Sequence, residues 1–352
     1  MHKAVRRILN FFSFLIALGL VICVAAFGGI MYFNAAPAEA PHPNEEAMHL
    51  DEKGNLVLGI KSGETAYSVG ARLENAGVIR SRYFWYLLSR MENHYIKTGM
   101  YLIELPASQM KIHSLLVSGD QMLMRITIPE GVTLKKASRI FEEEGICNAD
   151  EFLAAASSAE ILDKYHVPGP TMEGYLYPDT YLFPLAYPAE KVVSAMADTF
   201  FRRLAEIAPG AAAPDALNQA IVIASIVERE YRVPEEAPLM AGVFYNRLKI
   251  GMPLQSCATV EYVITEIEGK PHPEILYNRD IEIRNPYNTY IRQGLPPGPI
   301  SCPGETALKA AFNPAPSNYL YFRLIDPHTG RHYFSRTLDD HIRAGALYTK
   351  GS

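Results

Sequence analysis

The sequence predicts an α+β protein that begins with an apolar helix, and three observations lead to this fold class. Residues 8–33 carry no charged side chain and consist mainly of Leu, Ile, Val, Phe, Ala and Gly. Two later segments repeat a strand, a glycine turn and a helix, and the last part of the chain combines helix-type runs with a β-hairpin pattern. With 352 residues, 49% hydrophobic and 20% charged, the chain has the composition of a globular protein with two or three compact units.

The apolar run over residues 8–33 predicts a transmembrane helix, because about 20 apolar residues suffice to cross the hydrocarbon core. Residues 1–7 carry three basic side chains. They are therefore predicted as a cytoplasmic tail, with the rest of the chain facing outward. A cleaved signal peptide is the alternative, since Ala35–Ala40 has the small residues of a cleavage site, although its apolar region would be only roughly 7–15 residues long. We favour an uncleaved single-pass anchor.

A linker over residues 34–55 follows the span. Pro37, Pro41 and Pro43 oppose regular structure there. Without the basic residues of the tail, the remaining chain has 30 basic against 38 acidic residues. An acidic outer part without a Lys/Arg run is a poor nucleic-acid binder, so nucleic acid is excluded as a partner.

An internal repeat follows the linker. Ile60–Ser81 aligns with Ile128–Ala149 at a constant offset of 68 residues, and the alignment pairs turn glycines, capping threonines and helix-stopping glycines. We assign residues 56–126 to a LysM-like βα module and residues 127–197 to a second repeat-like module with a connector. LysM modules commonly bind N-acetylglucosamine polymers. A duplicated spacer that sets the height of the following domain is an equal alternative.

The pattern changes beyond residue 198, and residues 198–350 form a third region of mixed helices and loops. Three helices are predicted there, over residues 215–231, 237–249 and 259–266. The segment 284–303 is dense in Pro, Gly, Asn and Tyr and predicts an ordered loop. Residues 319–334 alternate around Asp-Pro and Thr-Gly turn signals, which predicts a C-terminal hairpin.

The helix over 215–231 carries the principal candidate for chemistry. Steps of three and four residues place Glu228 in line with three apolar residues, Leu217, Ile221 and Ala224. A carboxyl group in an apolar stripe loses hydration, which raises its pKa toward the range of a general acid. Glu230 is expected on the opposite, solvated side. The alternative is a structural ion pair of Glu228 with Arg247 or Arg232.

Three segments resemble the YceG-like family, namely Ala224–Glu230 (ASIVERE), Val243–Tyr262 and Asn285–Ala315. Met172–Tyr181 and Tyr319–Phe322 are similar to it as well. The resemblance runs from about residue 57 to residue 348, in one order and with long motifs. It implies that residues 198–350 are a catalytic domain and that Glu228, the Glu of the "IVE" segment, is the catalytic residue.

The implied activity is that of an endolytic peptidoglycan lytic transglycosylase, which is a lyase. Such an enzyme cleaves the bond between N-acetylmuramic acid and N-acetylglucosamine and leaves a 1,6-anhydro end, here on nascent glycan strands. The resemblance also implies a single-pass protein of the inner membrane with its catalytic domain in the periplasm, and cell-wall synthases as partners. No metal-ligand or cofactor motif occurs, so no metal and no cofactor are expected.

Six residues are predicted to bind substrate, although each could instead hold its loop together. The candidates for acetamido and hydroxyl groups are Gln255, Asn288 and Thr289, and those for stacking on sugar faces are Tyr175, Tyr287 and Tyr290. Cys257 and Cys302 stand where the resemblance leads us to expect Asp or Asn. An oxidising periplasm would allow a disulfide between them.

Two other functions remain open. A hydrolytic muramidase needs a second carboxylate, for which Glu173, Asp179 and Glu261 are candidates. A non-catalytic wall-binding scaffold would depend on the repeat alone. Anhydro ends on the products distinguish transglycosylation from hydrolysis, and cleavage by a Glu228→Gln variant would remove Glu228 as the catalyst.

Overall fold

The computed structural model describes residues 2–43, 47–61, 63–91, 95–209 and 214–348, apart from the side chains of residues 2–8, 214 and 215. The helices are α1 (His2–Asn34), α2 (Ala66–Asn75), α3 (Arg82–Met91), α4 (Gln109–Ser118), α5 (Leu134–Glu143), α6 (Ala149–Ala155), α7 (Ala159–Tyr165), α8 (Ala189–Ile207), α9 (Pro214–Glu230), α10 (Ala237–Lys249), α11 (Cys257–Tyr262), α12 (Asn278–Ile281), α13 (Glu305–Phe312) and α14 (Leu338–Arg343). The strands are β1 (Met48–Leu50), β2 (Leu56–Ile60), β3 (Gly99–Ile103), β4 (Leu123–Thr127), β5 (Thr180–Pro184), β6 (Tyr321–Asp326) and β7 (Arg331–Ser335). Helices with small sheets confirm the predicted mixed class.

Helix α1 matches the predicted membrane span. Its part from Leu9 to Asn34 is long and apolar enough to cross a membrane. The side chains described along it are mostly exposed, as lipid contact requires. The helix begins at His2 and so includes most of the predicted tail. These features are consistent with a single-pass anchor.

The chain divides into two compact units. The first runs to Leu123 and includes Pro184–Ala186, and the second contains Met124–Phe183 and the chain from Tyr187 onward. The finer division at residues 126 and 197 stays a prediction.

The first unit is built on an antiparallel sheet in the order β1, β2, β3. Strands β2 and β3 are neighbours in this sheet, and helices α2 and α3 lie between them in sequence. The core contains Trp85, Leu58 and Tyr101, all fully buried. A β-α-α-β unit of about this size can bury its own apolar face, which gives the module a core of its own.

The two repeats share their turn and cap geometry. Gly63 and Gly131 have φ values of +78° and +74°, a backbone conformation that glycine adopts without a steric penalty. The Thr65 hydroxyl accepts a hydrogen bond from the Ser68 amide at 3.1 Å, and Thr133 caps helix α5 in the same way. The predicted capping by both threonines is confirmed.

Helix α9 lies in the core of the second unit, packed by α10, α11 and α13. Every residue from Ile221 to Val227 is at most 1% exposed. The predicted helix is confirmed, but its predicted solvated side is wrong. Because three helices pack around it, α9 is buried on all sides from Ile221 to Val227, and Glu230, opposite Glu228, is partly buried as well.

The segment 284–303 forms an ordered loop next to α9, in which the described chain has no strand and no long helix. The Ile300 amide donates to the Ser225 hydroxyl and the Ser301 hydroxyl donates to the Ser225 carbonyl, both at 3.0 Å. Buried hydrogen bonds of this kind hold a loop in place when its backbone does not form the regular hydrogen bonds of a helix or a sheet. The predicted hairpin is confirmed, since β6 pairs with β7 in antiparallel register.

The predicted helix over 259–266 is different in detail. Helix α11 begins at Cys257 and continues into a π-helical turn over Val263–Ile267. Such turns widen the helix and are frequent near functional sites. The residues that precede α11 carry the site described next.

Candidate active site

Two glutamates lie near the C-terminal end of helix α9. Glu228 and Glu230 are two residues apart, which separates them by about 200° around the helix axis. They therefore face opposite sides of α9. Both have raised pKa values, and each has a different set of neighbours.

Glu228 lies beside the loop that leads into helix α13. Its Oε2 accepts a hydrogen bond from the Gly304 amide at 2.9 Å. Burial raises the pKa of Glu228 to about 7, and the negative charge of Glu130 adds to this, while the bond from Gly304 opposes it. The predicted desolvation of this carboxyl group is therefore present.

Glu230 is held from the other side by the turn before α11. The Ser256 hydroxyl donates a hydrogen bond to its Oε1 at 2.5 Å. Burial raises the pKa of Glu230 to about 6, although the bond from Ser256 favours the charged form. The carboxyl group can therefore carry a proton at mildly acidic pH and keeps part of its surface open.

A cleft of about 320 Å³ opens in front of Glu230. The polar or aromatic side chains that line it are Glu230, Arg247, Gln255, Cys257, Tyr290, Tyr321, Phe322 and His341. Glu228 does not line this cleft. Of the six residues predicted to bind substrate, the cleft brings together Gln255 and Tyr290, and it places them with Glu230.

Gln255 lies in a strained turn. Its φ of +52° is uncommon for a residue with a side chain and is a feature that clusters at functional sites. Its backbone amide donates a hydrogen bond to the Thr289 carbonyl at 3.0 Å. The buried Arg247 guanidinium donates to the Leu254 carbonyl at 2.7 Å and fixes the turn from within. The exposed Gln255 side chain is thus presented to the cleft by surrounding hydrogen bonds.

Asn288 and Thr289 are buried and hold the loop together. The Asn288 amide donates to the carbonyls of Ile281 and Ile283, both at 2.9 Å. The Thr289 hydroxyl accepts from the Ser256 amide at 3.1 Å. At 0% and 1% exposure, neither side chain can reach a polysaccharide, which corrects the predicted substrate contact.

The other two predicted tyrosines lie elsewhere. The Tyr175 hydroxyl donates to Asn218 at 2.7 Å, and the residue is only 2% exposed, so its predicted stacking on a sugar face is wrong. Half-buried Tyr287 packs against Tyr262 with ring centroids 5.0 Å apart. Neither tyrosine lines the cleft of Glu230. They are components of the surrounding core.

The predicted disulfide is not formed, because Cys257 and Cys302 are both free thiols. The Cys257 sulfur lies 3.1 Å from the Tyr290 hydroxyl in the cleft. Cys302 is fully buried, and its backbone amide donates a hydrogen bond to the Val132 carbonyl. Burial raises the pKa of both thiols, so neither favours the thiolate form.

The candidates for a second carboxylate are engaged elsewhere. Glu261 forms an ion pair with Arg229 at 3.0 Å. Glu173 is buried and accepts a hydrogen bond from the Leu134 backbone amide, and burial raises its pKa to about 8. Asp179 accepts a hydrogen bond from the Thr180 amide. None of the three lines the cleft of Glu230.

The proposed structural ion pair of Glu228 does not occur among the described residues. Arg247 donates instead to carbonyl oxygens, and Arg232 packs against Gly330. Glu230 and His341 line the cleft but were not among the predicted site residues. For Glu230 a signal was available, because Ile223, Ile226 and Val227 form a second apolar stripe in line with it.

Comparisons with known proteins agree with the extent of this fold. Residues 58–346 match the profile of the YceG-like family. An endolytic murein transglycosylase from Bacillus subtilis (strain 168) is 28% identical over 86% of this chain and 87% of its own length. An endolytic murein transglycosylase from Streptococcus pneumoniae serotype 2 (strain D39) is 28% identical over 83% of this chain. The chain spans only 58% of the length of that streptococcal relative.

A crystal structure of a yceG-like protein from Listeria monocytogenes is also similar. The TM-score is 0.54 at 28% sequence identity, and the match covers 82% of this chain and 98% of the other. The two proteins therefore share their fold over most of both chains.

The structural role of Asn288 in its loop can be tested by measuring the stability of the folded protein. Asn288→Ala removes two donors and the acceptor for the Tyr290 amide. We expect the free energy of unfolding to fall by roughly 2–3 kcal/mol, because buried partners stay unpaired. Denaturant titration of the full chain in detergent, followed by circular dichroism, measures this. Asn288→Asp keeps the acceptor for Tyr290 but turns a carboxylate oxygen toward the carbonyls of Ile281 and Ile283, so it should lose at least as much stability. Unchanged stability of the Ala variant would contradict the structural role.

Proposed function

The chain belongs to the YceG-like family, and from this premise we propose that it is a lytic transglycosylase of peptidoglycan with Glu230 as its acid and base. The observation that carries the proposal is the position of Glu230. Its carboxyl group has a pKa raised by burial to about 6 and opens into a cleft lined by polar and aromatic side chains. The relatives named endolytic murein transglycosylases support the substrate class.

In the proposed reaction Glu230 acts twice. It donates its proton to the oxygen that leaves with N-acetylglucosamine, and the bond from that oxygen to C1 of N-acetylmuramic acid breaks. The C6 hydroxyl of the same muramic acid then attacks C1, and its proton passes to the Glu230 carboxylate. A 1,6-anhydro ring forms, no water is consumed, and Glu230 returns to its starting state.

The cleft supplies the remaining requirements. The Ser256 hydroxyl donates to Oε1 of Glu230 and so stabilises the carboxylate between the two proton transfers. The side-chain amide of Gln255 can form a hydrogen bond with an acetamido or hydroxyl group of the substrate, and the Tyr290 ring forms part of the cleft wall. The positive charge that develops at C1 is stabilised by the substrate's own acetamido oxygen and nearby dipoles.

Glu228 is the second candidate for the acid, because it ends the family's "IVE" segment and burial raises its pKa to about 7. Its Oε2 accepts a hydrogen bond from the Gly304 amide, as Oε1 of Glu230 does from Ser256, but Glu228 lies outside the cleft. A hydrolytic muramidase is less well supported, since Glu173, Asp179 and Glu261 do not face Glu230 across this cleft.

The first module is proposed to bind glycan in the manner of a LysM domain. A cavity of about 610 Å³ in this unit lies between the start of α2 and the second half of α3, and its lining includes Glu64, Tyr86, Arg90 and Tyr95. Tyr95 is 90% exposed, and an exposed aromatic ring beside polar groups suits a sugar face. Helix α1 is proposed to anchor the chain in the inner membrane, with the chain after it in the periplasm, near cell-wall synthases.

Product analysis of two variants tests the assignment of the acid. Glu230→Gln keeps an acceptor for Ser256 but cannot give a proton, so we expect glycan cleavage to fall at least roughly 100-fold. Glu228→Gln is the matched control on the same helix and should retain most activity. Mass spectrometry of digested glycan strands should find anhydro ends for the wild type. Reducing ends would indicate a muramidase, and loss of cleavage only in Glu228→Gln would assign the chemistry to Glu228.

The pH profile gives a second test. A general acid must be protonated, and the protonated fraction of Glu230 falls as the pH rises through about 6. We therefore expect kcat/KM to decline above pH 6 by about tenfold per unit. Initial rates between pH 4 and pH 8 measure this on wild type and Glu228→Gln. A decline that begins only near pH 7 and disappears in Glu228→Gln would point to Glu228.

Glycan binding by the first module is measurable without cleavage in the Glu230→Gln background. Adding Tyr95→Ala should weaken binding to purified glycan strands by roughly threefold to tenfold, the value of one aromatic contact. Tyr83→Ala is the control, since Tyr83 is 71% exposed on α3 but does not line the cavity. Equal binding by the two variants would favour the spacer interpretation.

A further inference from the structure

One wall of the cleft in front of Glu230 comes from a part of the chain outside the motif segments that resemble the YceG-like family. Helix α14, close to the C-terminal end of the described chain, contributes Leu338 and His341 to it. His341 is thus a titratable side chain that shares a cavity with the proposed acid, although more than 100 residues separate them in the sequence. The proposed proton transfers do not use this imidazole.

One nitrogen of His341 is buried and unsatisfied. Its Nδ1 is closed to solvent and has no hydrogen-bond partner within the part of the chain that the structure describes. The ring lies against Tyr321 with centroids 5.4 Å apart, which fixes the orientation of the imidazole. A buried nitrogen without a partner is costly, so such groups call for a specific reason. The rest of the ring is partly exposed, on the side that lines the cleft.

The surroundings of His341 keep the ring neutral, and the burial of Nδ1 determines which nitrogen carries the proton. Burial lowers the pKa of His341, and the positive charges of Arg323 and Arg247 lower it further, so the ring is neutral near pH 7. An N–H at the buried Nδ1 would be a donor without a partner among the described residues, whereas the other nitrogen lies on the part of the ring that is not closed off. The proton of the neutral imidazole therefore belongs on Nε2.

We propose that His341 is a substrate-binding residue of the Glu230 cleft and donates a hydrogen bond from Nε2 to an oxygen of the bound glycan. The acceptor is a sugar hydroxyl or an acetamido carbonyl, both of which are neutral and abundant on this class of polymer. The inference rests on the proposed function, because it assigns a contact within the same cleft. It gives helix α14 a direct part in binding.

The proposed contact can be tested with substitutions of His341 that keep a donor at the position of only one of its two ring nitrogens. The amide nitrogen of Gln reaches about as far as Nε2, and that of Asn only as far as Nδ1. In the non-cleaving Glu230→Gln chain, His341→Gln should bind purified glycan strands within about twofold of its parent. His341→Asn and His341→Phe should both bind roughly 3- to 10-fold more weakly, the effect of one lost neutral hydrogen bond.

In the cleaving chain the same substitutions separate binding from chemistry. His341→Phe should raise KM by the same factor and change kcat little, since the imidazole takes no part in proton transfer. Thermal unfolding of each variant checks the fold. If Phe lowers the melting temperature, His341→Ala removes the donor without added bulk and is used in its place.

The outcomes are distinct from failure of the proposed function. Absence of anhydro products from the wild type would refute the proposed function, whereas the binding series would still report on His341. Unchanged glycan binding by His341→Phe and His341→Ala would overturn the present inference. Retention of binding by Asn but not by Gln would overturn it as well, because the contact would then lie at Nδ1.

Discussion

The hydrogen bond from the buried Ser256 hydroxyl to Glu230 is the interaction on which the site depends. It joins the C-terminal end of α9 to the turn before α11. The amide of the same serine donates to Thr289, whose hydroxyl also lies 2.9 Å from that of Thr259. A helix, a turn and a loop far apart in sequence thus meet in one satisfied polar network inside an apolar core.

This network explains why Glu230 can be both desolvated and correctly oriented. Three packed helices remove water from the end of α9 and raise the pKa of the carboxyl group. Ser256 fixes one oxygen, which stabilises the carboxylate once the proton has left. The same turn places Gln255 at the cleft in a conformation that the backbone adopts only under constraint. Desolvation favours the protonated carboxyl group that the proposed reaction needs, and the hydrogen bonds orient it.

The sequence predicted those features that local patterns determine. The caps at Thr65 and Thr133, the long helix α9 and the hairpin of β6 and β7 follow from spacing and turn residues alone. The stripe through Glu228 was equally visible, but helix periodicity cannot tell one buried side from a helix buried on every side. Only the packing of α10, α11 and α13 around α9 shows that Glu230 is partly buried too. Asn288 illustrates the same limit, since a motif residue that holds a loop looks like one that binds substrate until its hydrogen bonds are known.

Direct titration of the Glu230 carboxyl group tests the central claim most closely. Carbon-13 NMR of the full chain, labelled at the glutamate carboxyl carbon, would follow each glutamate as the pH changes. The account predicts a resonance that titrates near pH 6, is absent from Glu230→Gln and shifts when glycan strands bind. A Glu230 resonance that titrates near the ordinary value of about 4.3 and ignores glycan would contradict it.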